Sequence, residues 1–209
     1  MKEVKIFFYS ALGVILLVTL KKVLKMSNFR KNLAEIAVKE WQAWNIPEKV
    51  KEGNSKTMQR LRDYYIKGTN TKESDDYYVN TAWSGAFISY CMKLAGAGKN
   101  FPYSKSHSTY IVDSVKNRKQ KNSKAFKAYK PSEVTIEIGD LVCRPRQDGV
   151  TYDTTGSYYS HCDIVTKIND DSLEMIGGNV SNSVSKTNVK LNYGKIIDNK
   201  YHAVIKTSL

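Results

Sequence analysis

The chain has 209 residues, 41% of them hydrophobic, with 4 Pro and a net charge of +13 from 33 Lys and Arg against 20 Asp and Glu. This composition excludes a disordered or collagen-like protein. With a terminal segment set aside, about 170–180 residues remain, which suits one compact domain with a real core.

The first thirty residues hold Lys2, Lys5, Lys21, Lys22, Lys25 and Arg30 against Glu3, yet the remainder is still basic. Such a surface favours anionic partners such as wall polymers, anionic lipid or nucleic acid, although a solubilising lysine-rich surface accounts for it at least equally. No RNP pattern, C2H2 spacing or helix-turn-helix grammar is visible, so no specific nucleic acid is expected. Three cysteines, Cys91, Cys143 and Cys162, are too few for a disulfide framework, and none sits at zinc-ligand spacing. Neither a structural metal nor a cofactor is expected.

Residues 6–20, IFFYSALGVILLVTL, are uncharged and mostly apolar. At 1.5 Å per residue they cover about 22 Å, and snorkelling of Lys5, Lys21 and Lys22 extends their reach toward the ~30 Å hydrocarbon core. No small-x-small cleavage site follows, because the next residues are KKVLKMSNFRKN. Residues 1–26 are therefore expected to form an uncleaved single-pass transmembrane anchor, with a cleaved signal or a buried core helix as alternatives. The basic residues after the span would keep the domain cytoplasmic. Unpaired cysteines lean the same way, but a wall-directed activity requires the opposite side, and sidedness stays open.

Residues 27–209 are expected to form the domain. From Ser27 to Asn45, Phe29, Leu33, Ile36, Ala37, Trp41 and Trp44 recur at helical spacing before Pro47. A second helix is predicted at about Lys56 to Lys67, followed by the loop GTNTKESDD. YYVNTAWSGAFISYCMKLAGAG then predicts a central buried helix closed by Gly96 and Gly98, and a shorter helix follows near Thr109 to Asn117. After Pro131 the period changes to two, with strands at Gly139–Arg144, Cys162–Ile168, Ser172–Ile176, Ser183–Leu191 and Tyr201–Lys206. The long piece between Pro145 and Ser160 has the length of a binding or lid loop. Helices first and an antiparallel meander second indicate an α+β domain.

Three segments place polar groups at the ends of elements: Trp83-Ser84, Ser160-His161 and Gly177-Gly178-Asn179. A nucleophile on the first turn of a helix faces unpaired N–H groups and the positive dipole end, which favour an oxyanion. Ser84 fits that place, His161 is the candidate base, and Asn179 is the candidate that orients the imidazole. Each has a bland alternative: a helix-packing serine, an edge histidine and a turn residue. His107 either lines the same cleft or is a helix-entry histidine. Arg144 and Asp163 either form an ion pair that shapes the site or bind a substrate carboxylate. Cys91, two turns deeper on the face of Ser84, is expected in the core, with a substitute thiol nucleophile as the alternative. Cys143 and Cys162 are expected as core residues of their strands.

TAWSGAFISYC, HSTYI, IEIGDLVCR, SHCDIV and IGGNV, in that order over about residues 55–206, resemble the bacterial family called domain of unknown function 2272. The resemblance implies a papain-like fold of helices packed on an antiparallel sheet, related to the NlpC-type and CHAP amidases and endopeptidases of peptidoglycan. It also implies a helix-borne nucleophile and strands that bring a His and a polar third residue, which fall on Ser84, His161 and Asn179; Trp83, His107, Arg144 and Asp163 are the candidates for substrate binding beside them. Those relatives usually carry Cys after the Trp, whereas this chain has Ser84, so a thiolate–imidazolium pair is replaced by His-assisted proton removal. The expectation is a membrane-anchored hydrolase of an amide bond in peptidoglycan peptides. The alternative is an inactive papain-like module that binds cell wall or another anionic ligand.

Overall fold

The computed structural model describes residues 11–209, with side chains from residue 28 onward. Five α-helices come first in the described chain: α1 (Ala11–Asn45), α2 (Ser55–Thr69), α3 (Asp75–Asn80), α4 (Ser84–Ala95) and α5 (His107–Lys119). Seven strands follow: β1 (Phe126–Tyr129), β2 (Leu141–Pro145), β3 (Ser160–Ile168), β4 (Ser172–Gly177), β5 (Ser185–Asn192), β6 (Lys195–Ile196) and β7 (Ala203–Thr207). The chain is thus α+β, with every strand pair antiparallel and the order β1-β7-β2-β3-β4-β5-β6. Among the described residues no helix is long and apolar enough to cross a membrane. The run 6–20, and with it the membrane-anchor expectation, falls outside the residues described with side chains.

The elements follow local chemistry. Phe29, Leu33, Ala37 and Trp44 make the buried stripe of α1. Asn54 caps α2, its side chain accepting from the Lys56 N–H at 2.9 Å, and Asn70 closes the helix in the left-handed conformation. The predicted central helix is split: α3 ends at Asn80, and α4 begins afresh at Ser84. The break leaves the first turn of α4 open, because the first helical bond there starts at the Phe87 N–H.

Strand alternation divides the core in two. Leu141, Cys143, Cys162, Ile164, Ala203 and Ile205 face the helices, whereas Val142, Val165, Met175, Val189 and Val204 pack on the other side of the sheet with Ile136, Ile196 and Tyr201. Two expectations are corrected. The sheet is no simple meander, because β7 returns to lie between β1 and β2, and β1 and β6 were not predicted at all. Both are short, four and two residues.

Cys143 and Cys162 are joined by a disulfide, not left as free core thiols. The β2–β3 register puts them directly opposite one another, which strand spacing alone does not reveal. α1 is tied to the sheet by Asp140, buried and held by Arg30 at 2.7 Å and Lys206 at 2.9 Å. Gly139, at φ +83°, is where the Arg30 backbone passes: an added Cβ would lie 2.8 Å from Arg30 Cα.

Candidate active site

Ser84, His161 and Asn179 line one cavity of about 310 Å³, together with Ala82, Arg146, Tyr159 and Ser160. Four elements converge on it: the start of α4, the start of β3, the turn after β4, and the two ends of the β2–β3 loop. Ser84 is the first residue of α4 and is 9% exposed. The N–H groups of Ser84, Gly85 and Ala86 have no helical partner and point toward any oxyanion formed there.

Trp83 is corrected. It is fully buried and lies outside the cavity lining. Its indole stacks on Trp44 at 5.0 Å and on Tyr64 at 5.7 Å, and its N–H donates to Glu52 at 2.5 Å. Behind the stack, the Trp44 indole N–H donates to the Tyr64 hydroxyl, which donates to Glu40, itself held by Arg60. Trp83 is the anvil on which the α4 N-terminus rests.

The hydrogen bond of Ser84 goes to His107, not to His161: His107 Nε2 lies 2.7 Å from Ser84 Oγ. Two features of the sequence bring α5 there. An added Cβ on Gly85 would lie 2.2 Å from Lys105 O, so only glycine admits the segment that leads into α5. Ser89, fully buried one turn on, donates to Ser104 O at 2.8 Å and accepts from Ser104 N–H at 3.0 Å. A small residue directly after Ser84 and a buried serine one turn later were the available signals.

Charge and proton positions follow from burial. Burial, then the neighbouring His161 and Arg146, push the His107 imidazole well below the usual histidine range, so it is neutral. Burial, helped by Asp163, pushes the Tyr110 phenol well up, so it keeps its proton. The partner of that hydroxyl among the described residues is His107 Nδ1. A neutral imidazole has one N–H, so His107 donates in one of its contacts with Tyr110 and Ser84 and accepts in the other.

The proton position of His161 is set by a carboxylate. Its Nε2 lies 2.9 Å from Asp163 Oδ1, so the ring donates from Nε2 and leaves Nδ1 as an acceptor. The His161 and His107 rings are 5.3 Å apart, centre to centre. Asn179 lines the cavity but makes no hydrogen bond to His161, so the orienting partner is Asp163. Asn179 is also held at φ 55°, in the left-handed region.

Asp163 and Arg144 do not pair. Asp163 lies opposite Val142 in the ladder and bonds His161, while Arg144 lies opposite His161 and outside the cavity lining. Gly177 leaves the room that the His161–Asp163 pair occupies: a Cβ there would lie 1.8 Å from Asp163 Oδ1 and 2.9 Å from His161 Nε2. Gly178 does the same for α4, since its Cβ would lie 2.5 Å from Phe87 Cβ and 2.8 Å from Trp83 Cζ3. The glycine pair therefore seats β4 against both halves of the site. Cys91 is buried away from the cavity, and burial with nearby Glu40 pushes its thiol well up, which leaves it inert. Among the described residues no group of three or more His, Cys, Asp or Glu side chains is arranged to hold a metal ion.

The family model described as "Uncharacterized protein conserved in bacteria (DUF2272)" matches residues 44–207. The chain belongs to the DUF2272 family. The match runs from the last turn of α1 to the end of β7 and so includes every residue of the cavity. No curated protein and no solved structure matches the chain.

Proposed function

We propose that this DUF2272 protein is a membrane-anchored, papain-like hydrolase that cleaves an amide bond in cell-wall peptides. Ser84 is its nucleophile, His161 its base, and Asp163, in place of Asn179, the residue that orients the base. The observation that carries this reading is one cavity holding a serine at an open helix N-terminus and a histidine whose acceptor nitrogen is left free by a buried carboxylate.

In the reaction, Ser84 Oγ bonds to the carbonyl carbon while its proton passes to His161 Nδ1. The oxyanion faces the free N–H groups of the first turn of α4. His161 then gives the proton to the leaving amine as the C–N bond breaks, and water, activated by the same imidazole, hydrolyses the acyl ester. His107, hydrogen-bonded through Nε2 to Ser84 Oγ, holds the nucleophile in place. The cross-strand disulfide supports a location on the oxidising side of the membrane, where a wall peptide is found.

One observation favours the rival binding module: the hydrogen bond of Ser84 goes to His107 and not to the proposed base. Incubation with purified peptidoglycan, followed by assay of newly released amines, separates the two. Wild-type protein is expected to release amines and to be labelled at Ser84 by a fluorophosphonate. Ser84→Ala and His161→Ala are expected to abolish release with unchanged circular dichroism, and Asp163→Asn to lower it at least ~100-fold by misplacing the imidazole proton. Full release by Ser84→Ala would sink the hydrolase; saturable, salt-sensitive wall binding without any release would establish the module.

A further inference from the structure

Six arginines have described side chains, and four of them are ion-paired: Arg30 with Asp140, Arg60 with Glu40, Arg62 with Asp75 and Arg118 with Glu133. Arg144 and Arg146 break the pattern. Neither has a carboxylate within ion-pair distance among the described residues, although they stand two positions apart at the end of β2. Asp163, the acid close by, is already engaged by His161.

Arg144 Nε is buried with no hydrogen-bond partner, and so is Ser160 Oγ. The Arg146 backbone is fixed by its N–H to Tyr159 O at 2.9 Å, which closes the neck of the β2–β3 loop. Its guanidinium lines the cavity with Ser84 and His161 and makes no hydrogen bond to another described residue. Asp163 acts on Arg146 and Asp198 on Arg144 only from beyond ion-pair distance, so two neighbouring cations without a directly paired carboxylate favour an added anion. A guanidinium is also the group best shaped to take a carboxylate through two parallel hydrogen bonds.

We propose that Arg146, backed by Arg144, is a carboxylate-binding subsite, and that the substrate is a peptide carrying a free carboxylate close to the bond that Ser84 attacks. The subsite rests on the cavity being where substrate binds, and it deepens the proposed function by naming the substrate class. It explains why the one charged side chain in the cavity lining is an arginine. It also gives the exposed ring of Tyr159 a place at the rim, beside the substrate chain.

The test uses the full chain with the Ser84→Ala change, so that no probe is consumed. It is titrated with N-acetyl-alanyl-alanine, in its L and D forms, and with the corresponding C-terminal amides, following the imidazole resonances of His107 and His161. The acid is expected to bind at least ~10-fold more tightly than its amide, because only the acid satisfies the guanidinium. Arg146→Gln should erase that difference, and Arg146→Lys should keep part of it. Equal binding of acid and amide, no binding of either, or an acid preference that survives Arg146→Gln would each overturn the subsite. Failure of the fluorophosphonate to label wild-type Ser84 would instead strike the hydrolase reading and leave the titration result standing.

Discussion

At the scale of single residues, the two histidines of the cavity differ in what holds them. His107 is kept neutral by burial, with the neighbouring His161 and Arg146 acting in the same direction. Its folded pKa therefore lies below the ~6.5 of an unfolded histidine, and below that pH protons bind the unfolded chain more readily. The stability it contributes is complete above about pH 6.5 and is lost as pH falls from there through the depressed folded value. His202, pushed down by burial, acts in the same direction. Urea unfolding at about pH 7.5 and pH 5 should show a clear loss for the wild type and a smaller one for His107→Gln; equal losses would show that His107 is not the group concerned. Gly177 offers a second check. Gly177→Ala sets a methyl 1.8 Å from Asp163 Oδ1, so the carboxylate must move off His161. Destabilisation of about 1–3 kcal/mol is expected, with fluorophosphonate labelling of Ser84 slowed at least ~10-fold. Unchanged labelling would show that the His161–Asp163 contact does not matter to the nucleophile.

At the scale of elements, the site depends on α4 and α5 meeting at their N-termini. Ser89 holds that junction, because its hydroxyl serves both the carbonyl and the N–H of Ser104. Ser89→Ala leaves both part-buried groups of Ser104 without this partner, so a loss of about 1–2 kcal/mol is expected. Because the same clamp positions His107 on Ser84, the variant should also change the imidazole resonance of His107; a stability loss with that resonance unmoved would reduce Ser89 to a packing role. The helices and the five longer strands were legible in the sequence, since each carries enough residues to show its period, whereas β1 and β6 are too short to do so. The split between α3 and α4 was not legible, because the break at Thr81-Ala82-Trp83 holds no Pro or Gly and the polar Asn80, Thr81 and Ser84 can all be carried within a helix.

At the scale of the whole molecule, the disulfide joins β2 and β3 beside the cavity: Cys143 precedes Arg144, and Cys162 follows His161. Its partners are 19 residues apart in the chain, so cross-linking removes about 3 kcal/mol of unfolded-state entropy. Protein denatured without reductant should titrate one thiol, Cys91, and three after reduction. Cys143→Ala with Cys162→Ala should lower unfolding stability by about 2–4 kcal/mol. Three thiols in the unreduced, denatured protein would show that the bridge does not form.

Composition, period and local motifs were enough to establish an α+β chain, the main elements, and a short set of polar residues at element ends that contains Ser84, His107, His161, Asp163 and Asn179. Those properties are carried by residues near one another in sequence, where helical or strand spacing makes them visible. Which of the polar residues touch was decided only in three dimensions: Ser84 with His107, His161 with Asp163, Cys143 with Cys162, and Trp83 buried instead of facing a substrate. Each of these depends on strand register or on the closeness that Gly85, Gly177 and Gly178 allow, and a register is set by the whole sheet packing at once, with no trace in the spacing along the chain.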